Sequence, residues 1–331
     1  MARPLLTRAV DAVMDRSLVL GYTTIGLAVR RTLPGWPADP APRALAGRHV
    51  LVTGASSGLG IATVEGLVAL GAVVHMLVRD EAKGSAVAER IRATHPGADV
   101  RLWRCDVADL DDVRRFAADF AEEVPELHAV VHNAGVMPPT RTESAQGHEL
   151  SMAVHLVGPV VMTEALRGPL SRDGAGGRVV LVSSGGMYGQ VLRADDPDYT
   201  TGDYSPTTAY ARSKRWQVEM TPHLAEWWGA DGITVATMHP GWADTPGVQE
   251  SLPTFRRLTR PVLRDDAQGA DTSVWLTAVE PAPPTGRFWH DRVERPTNLL
   301  PTTRASDVDR ARAWTWLVAA AGLGRADVRD V

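Results

Sequence analysis

The 331 residues predict an α/β chain: a doubly wound, mostly parallel sheet flanked by helices on both faces, with a helical extension at each end. Three observations predict it. Short, near-continuous apolar runs alternate with stretches of helical spacing from residue 48 to residue 290. Strands that read as continuous apolar runs are buried on both faces, and their alternation with helices makes a parallel sheet. A glycine-rich turn joins the first run to the first helical stretch, and a 44% hydrophobic composition is enough to bury a large core.

Within residues 1–33, Leu6, Val10, Val13, Met14 and Leu18 have helical spacing, and Pro34 to Pro42 reads as an extended linker, so residues 1–46 form an N-terminal extension. Strands are predicted at Arg48–Thr53, Ala72–Val78, Asp99–Arg104 and Leu127–His132, alternating with helices at Gly58–Leu70, Glu81–Thr94 and Leu110–Glu123. A long helix from Glu149 to Leu170 follows, then strand Arg178–Val182, helix Thr208–Trp228 and strand Ile233–Met238. A helix at Asp266–Val279 and a last strand at Gly286–His290 complete a domain over residues 47–295. In the C-terminal extension, residues 296–331, Ser306 is placed to cap a helix carrying Trp314 and Trp316.

Composition removes several function classes. A net charge of −4 gives no electrostatic case for nucleic acid. The single cysteine, Cys105, excludes a disulfide framework and a thiolate metal cluster, fits a reducing cytoplasm and reads as a buried small side chain. No apolar run approaches the ~20 residues that span a bilayer. Arg3, Arg8, Arg30 and Arg31 flank apolar residues in the N-terminal extension, a pattern that suits peripheral membrane contact, but docking on the protein's own sheet or on a second copy in a homo-oligomer is the preferred expectation. Arg256, Arg257, Arg260 and Arg264 read as a solvated helix face. His128 and His132 have no third ligand at useful spacing, so no metal site is expected.

The glycine turn Thr53-Gly54-Ala55-Ser56-Ser57-Gly58-Leu59-Gly60 sits between a strand and a helix, where glycines let the backbone approach a pyrophosphate at the helix N-terminus. About twenty residues on, a dinucleotide site holds its ribose selector. Here the second strand ends in Val78, followed by Arg79 and Asp80. Arg79 offers a guanidinium to a 2′-phosphate, which favours NADP over NAD, whereas Asp80 could hold a 2′-hydroxyl. Tyr210 and Lys214, four apart on a predicted helix, share a face, and a cation beside a phenol favours phenolate and makes an acid/base. With only Lys83 and Lys214 as lysines, one at this spacing carries weight. Ser184 follows a strand and can donate to a carbonyl oxygen as charge develops on it.

Taken in order, the glycine loop from Gly54 to Gly60, Asp106 with Val107, Asn133-Ala134-Gly135, Ser184, Tyr210-x3-Lys214 and Pro240-Gly241 with Thr245 resemble the short-chain dehydrogenase/reductase family over about residues 47–290. The stretches Val182–Met187, Met238–Val248 and Ala267–Thr272 place the resemblance in the branch of its member 12. The resemblance implies a Rossmann-like fold and a hydride-transferring oxidoreductase. Tyr210 would exchange a proton with the substrate oxygen, Ser184 would stabilise that oxygen, and Lys214 would bind the nicotinamide ribose. It implies further that Gly54, Ser56, Ser57, Gly58, Leu59, Gly60, Arg79, Asp106, Val107, Asn133, Ala134, Gly135, Pro240, Gly241 and Thr245 bind the cofactor.

Two departures stand out. His155-Leu156-Val157-Gly158 has histidine where the family has an asparagine that holds a proton-relaying water; His155 could hold that water and titrate. The loop Tyr188–Pro206, with Asp195, Asp196, Asp198 and Asp203, is long and is expected to wall the substrate entrance. The expectation is an NADP-dependent enzyme interconverting alcohol and carbonyl on a small apolar or lipid-like molecule, in a pocket bordered by Met187, Tyr188, Trp242, Leu252 and Phe255. The alternative, carried by His155, is a non-catalytic NADP-binding regulator. Nucleotide-sugar epimerases share Tyr-x3-Lys but space their glycines differently.

Overall fold

The computed structural model describes residues 4–171, 176–244 and 253–324. Its sheet has eight strands: β1 (His49–Thr53), β2 (Val73–Val78), β3 (Val100–Arg104), β4 (Ala129–His132), β5 (Arg178–Val182), β6 (Thr234–Met238), β7 (Arg287–His290) and β8 (Val293–Glu294). They lie in the order β3-β2-β1-β4-β5-β6-β7-β8. All neighbours are parallel except β7 and β8, where Trp289 faces Glu294. The chain order reverses between β1 and β4, the crevice where open parallel sheets bind ligands.

The N-terminal extension forms α1 (Leu5–Arg16), α2 (Leu18–Tyr22) and α3 (Thr24–Thr32). The sheet is covered by α4 (Gly58–Ala69), α5 (Glu81–Thr94) and α6 (Leu110–Glu123), then α7 (Leu150–Met152), α8 (Gly158–Ala165) and α9 (Arg167–Ser171). After β5 come α10 (Pro206–Trp227), α11 (Pro253–Thr259), α12 (Asp266–Ala278) and α13 (Asp307–Ala321). Alternation along the strands sends Leu51, Val130, Val179 and Leu181 into one core with Phe116, Phe120, Leu156, Trp216 and Leu317. Val50, Val52, Val131 and Val180 enter the other, with Val64, Leu67, Trp275 and Leu276.

The long helix expected over 149–170 is instead broken by a π-helical turn at Ala153–Val157. Pro159 has no N–H to give His155 O, so the α register fails there. The Gln217 amide supplies the missing donor at 2.5 Å, and Gly158 N bonds Ala153 O instead. Ser306 caps α13 as expected, accepting from Asp309 N.

The extension docks on the protein's own domain. Arg30, fully buried, donates to Asp11 (2.7 Å), Asp15, Asp291 (2.7 Å) and the Gly21 carbonyl (2.6 Å). Arg295 closes the cluster onto Asp15 at 2.7 Å and Asp11 at 2.8 Å. Arg264 is no member of a solvated face: it is 1% exposed and bonds Asp291 at 2.6 and 2.9 Å. Among the described residues no helix is long and apolar enough to cross a membrane.

Candidate active site

At the end of β1 the chain turns at Gly54, whose φ of +65° suits glycine, and a Cβ there would lie 2.7 Å from Ala134 Cα. The approach is stitched from both sides. Asn133 Nδ2 donates to Thr53 O and Gly54 O at 3.1 and 3.3 Å, while the N–H groups of Asn133 and Ala134 both donate to Thr53 Oγ1 at 3.0 Å. The Asn133–Gly135 turn therefore braces the glycine loop across the switch point.

Helix α4 begins in that loop without a side-chain cap, because Ser57 at its N-cap makes no capping bond. By contrast α5, α6, α10, α12 and α13 are capped by Asp80, Asp109, Ser205, Asp265 and Ser306. Uncapped N–H groups behind glycines that tolerate no Cβ fit a dinucleotide pyrophosphate. At the neighbouring strand ends Val78 is buried, Arg79 is exposed, and the Asp80 carboxylate is committed to Lys83 N at 3.0 Å. Asp106 accepts from Ala108 N at 3.0 Å, and Val107 is buried against Gly158.

The catalytic candidates converge beside this loop. Ser184 follows β5 and caps a short 3-10 turn, Gly185–Gly189, and its hydroxyl is near enough to the Tyr210 phenol to lower its pKa. Its neighbour Ser183 is spent on the Lys214 carbonyl at 2.9 Å. Lys214 is 2% exposed, gives Nζ to Val182 O at 2.7 Å and stands 5.6 Å from the Tyr210 ring centre. Burial brings its pKa down to about 7. Burial also raises the Tyr210 pKa, and Ser184 only partly opposes it. The expected depression of Tyr210 by lysine is thus absent in this arrangement: Tyr210 is a phenol at neutral pH, because desolvation outweighs a lysine turned toward Val182.

His155 is corrected more firmly. Val136 N donates to Nε2 at 3.0 Å, so the ring proton sits on Nδ1 and goes to Ser213 Oγ at 2.7 Å. Ser213 in turn donates to Tyr210 O at 2.8 Å. Burial, then the Lys214 charge, holds the His155 pKa well below its usual value. With both nitrogens engaged the ring has no free atom for a relay water, and burial favours its neutral form; it ties the Asn133–Val136 turn to the catalytic helix α10.

On the substrate side Tyr188 is buried and donates to Pro296 O at 2.8 Å, and Trp242 is half-buried. Met187 is fully buried, with its sulfur 3.3 Å from Arg215 Nη1, in one cluster with Tyr22 and Tyr188 against which Trp242 packs. Gly241, at φ +80°, packs directly on Arg264, which also bonds Pro240 O at 3.1 Å. Thr245 and Leu252, with the Phe255 side chain, lie outside the described residues. The Tyr188–Pro206 loop is anchored beside the site, Asp196 accepting from Thr200 and Thr201 and Asp198 from Glu149 N. Sequence reading missed Tyr22 and His290, which carry no motif, and passed over His239 in front of Pro240; all three pack around this edge.

Cys105 is buried, its thiol pushed up to about 12 chiefly by burial. His128 bonds Arg48 and the Thr277 carbonyl and His132 bonds Thr163, and no group of metal-ligating side chains occurs among the described residues.

Comparison with known proteins agrees with this geometry. Residues 48–254 match the short chain dehydrogenase family. Dehydrogenase/reductase SDR family member 12 of Homo sapiens is 36% identical over 262 residues, 78% of this chain and 81% of that one. Retinol dehydrogenase 12 of Bos taurus is 33% identical, covering 75% of this chain and 78% of its own. A crystal structure from Mycobacterium paratuberculosis superimposes with a TM-score of 0.66 at 26% identity, over 86% of this chain and 98% of that one. A short chain dehydrogenase from Shigella flexneri complexed with NADP shares the fold, with a TM-score of 0.62 at 24% identity, over 76% and 99% of the two chains. The chain belongs to the short-chain dehydrogenase/reductase family, whose members are NAD(P)-binding oxidoreductases.

Proposed function

We propose that the protein is an NADP-dependent reductase of a carbonyl group on a small, apolar or lipid-like molecule, with Tyr210 as proton donor. The observation that carries this reading is the pair of hydroxyls of Ser184 and Tyr210, close enough for Ser184 to lower the Tyr210 pKa, with buried Lys214 on the same helix as Tyr210. The bound dinucleotide supplies the hydride. Ser184 donates a hydrogen bond to the carbonyl oxygen and supports its developing negative charge. Tyr210, kept protonated by burial, is the group that gives its proton to that oxygen when the carbonyl is reduced. Lys214 offers its ammonium to the nicotinamide ribose, and Gly54 to Gly60, with Ser56 and Ser57, cradle the pyrophosphate.

Preference for NADP rests on Arg79, exposed at the end of β2, with Val78 where an acid would repel a phosphate and Asp80 occupied in its cap. The apolar substrate class rests on Tyr188 and Trp242 at the site and on the name of the retinol dehydrogenase relative, since retinol is a long apolar alcohol. Against the non-catalytic alternative, which the lost relay at His155 still motivates, stand Ser184, Tyr210 and Lys214 at one strand edge, with His155 tying the Asn133–Val136 turn to helix α10. Turnover of apolar aldehydes and ketones with NADPH, lost in Tyr210→Phe, tests the reading. Unchanged turnover in that variant overturns it.

A further inference from the structure

The matched family segment begins at residue 48, yet a side chain from the extension before it stands against the catalytic loops. Tyr22, the last residue of α2, is 2% exposed. Its ring meets His239 edge-on at 4.7 Å, Trp242 at 6.2 Å and Tyr188 in a stack at 6.4 Å. Its Cε2 lies 3.5 Å from where a Cβ would stand on Gly185, the residue after Ser184. The contact is therefore made to the backbone that carries the catalytic serine and to both aromatic side chains of the substrate side.

The backbone around Tyr22 is fastened to the same loops. Tyr22 O accepts from Trp242 N at 2.8 Å, and Arg264 N donates to Trp242 O at 2.7 Å, so Trp242 is held between the extension and residue 264. Gly21 O accepts from Arg30 at 2.6 Å and Arg264 at 3.4 Å, and lies 3.2 Å from His290 Nε2. Arg264 also reaches Pro240 O and packs under Gly241. Two loops thus share one clamp: Ser184–Gly189 after β5 and Pro240–Trp242 after β6. Buried polar groups fastened this fully leave little freedom for the aromatic rings they hold.

We propose that Tyr22 is a positioning residue of the active site that sets specificity: through Trp242, Tyr188 and Gly185 the N-terminal extension shapes the substrate wall for an apolar, aromatic-sized carbonyl compound. This rests on the reductase reading, and the test separates the two. The full-length protein, loaded with NADP, is titrated with the aromatic ketone 2-acetonaphthone, followed by the ketone's own fluorescence. Reduction of the same ketone and of acetone by NADPH is measured in parallel.

Tyr22→Ala is expected to weaken ketone binding and raise its KM about tenfold or more, the scale of a lost apolar contact surface. NADPH affinity and the KM for acetone stay within about twofold. Tyr22→Phe restores wild-type binding, and Tyr22→Leu, which keeps most of the packing volume, gives an intermediate value. Equal ketone affinity in wild type and Tyr22→Leu overturns the proposal, even if Tyr22→Ala fails to fold. So does a parallel loss of NADPH, acetone and ketone binding, which marks a purely structural role. Failure of the wild type to bind the ketone removes the apolar wall itself. A wild type that binds the ketone but never reduces it contradicts the reductase reading, while the binding ratios still decide on Tyr22.

Discussion

Replacing Asp291 with Asn removes the carboxylate at the centre of the buried charge cluster. Asp291 is 1% exposed and accepts from Arg30 at 2.7 Å and from Arg264 at 2.6 and 2.9 Å. Burial pushes its pKa up, but the neighbouring His290, Arg264 and Arg30 together outweigh this and hold it well below the usual carboxylate range. Both guanidinium groups are themselves buried; Arg30 keeps Asp11 and Asp15, but Arg264 is left without the carboxylate that balances it, where water cannot reach. Breaking one partner of such a buried pair costs about 3–5 kcal/mol. Asn keeps one acceptor oxygen, which places the loss toward the lower figure. For a domain of this size each kcal/mol lowers Tm by roughly 2–4 °C, so a fall on the order of 10 °C is expected. Urea unfolding followed by tryptophan fluorescence measures the loss, and burial makes it insensitive to salt. Combining Asp291→Asn with Arg30→Met is expected to cost less than the two single changes added, because they share one interaction. A loss below about 1 kcal/mol, or additive effects, would refute the reasoning, since that is how exposed pairs behave.

Three further outcomes are expected. Ser213→Ala deprives the His155 Nδ1–H of its acceptor and Tyr210 O of a donor, so it lowers stability by about 1–3 kcal/mol in denaturant titrations and reduces kcat more than it raises the NADPH Kd. Lys214 has its pKa brought from 10.5 to about 7 by burial, so between these values the unfolded chain holds a proton that the folded protein has released. Stability from this group is lowest below pH 7 and rises with pH, so the stability of Lys214→Met relative to wild type falls between pH 6 and pH 9; a pH-independent difference contradicts the shift. Arg79→Ala weakens NADPH binding roughly tenfold or more, the worth of a charge-assisted hydrogen bond, and leaves NADH binding unchanged in nicotinamide fluorescence titrations.

The sheet was legible because its inner strands are buried on both faces: Leu51, Val52, Val180 and Leu181 form runs that only a parallel sheet core accommodates. The chemistry was legible because glycine loop, serine and Tyr-x3-Lys are local patterns at strand ends. What could not be read depends on distant partners. The π turn before α8 needs Gln217, 62 residues from the His155 carbonyl it serves, and β8, which pairs antiparallel with the expected β7, is too short for periodicity to register. Arg264 looked like one arginine of a solvated cluster, and only the fold brings Asp291 and the Gly21 carbonyl to it. The same holds for His155, whose role is set by Val136 N and Ser213 and not by its own motif, and for Tyr22, which has no motif at all.

The most direct test of the account is a paired titration of the full-length protein with NADPH and NADH by nicotinamide fluorescence, followed by single-turnover reduction of an apolar aldehyde in wild type and Tyr210→Phe. The account predicts tighter binding of NADPH, unaltered by Tyr210→Phe, and hydride transfer that is lost in that variant. Binding of neither dinucleotide, or transfer that persists without the phenol, contradicts it.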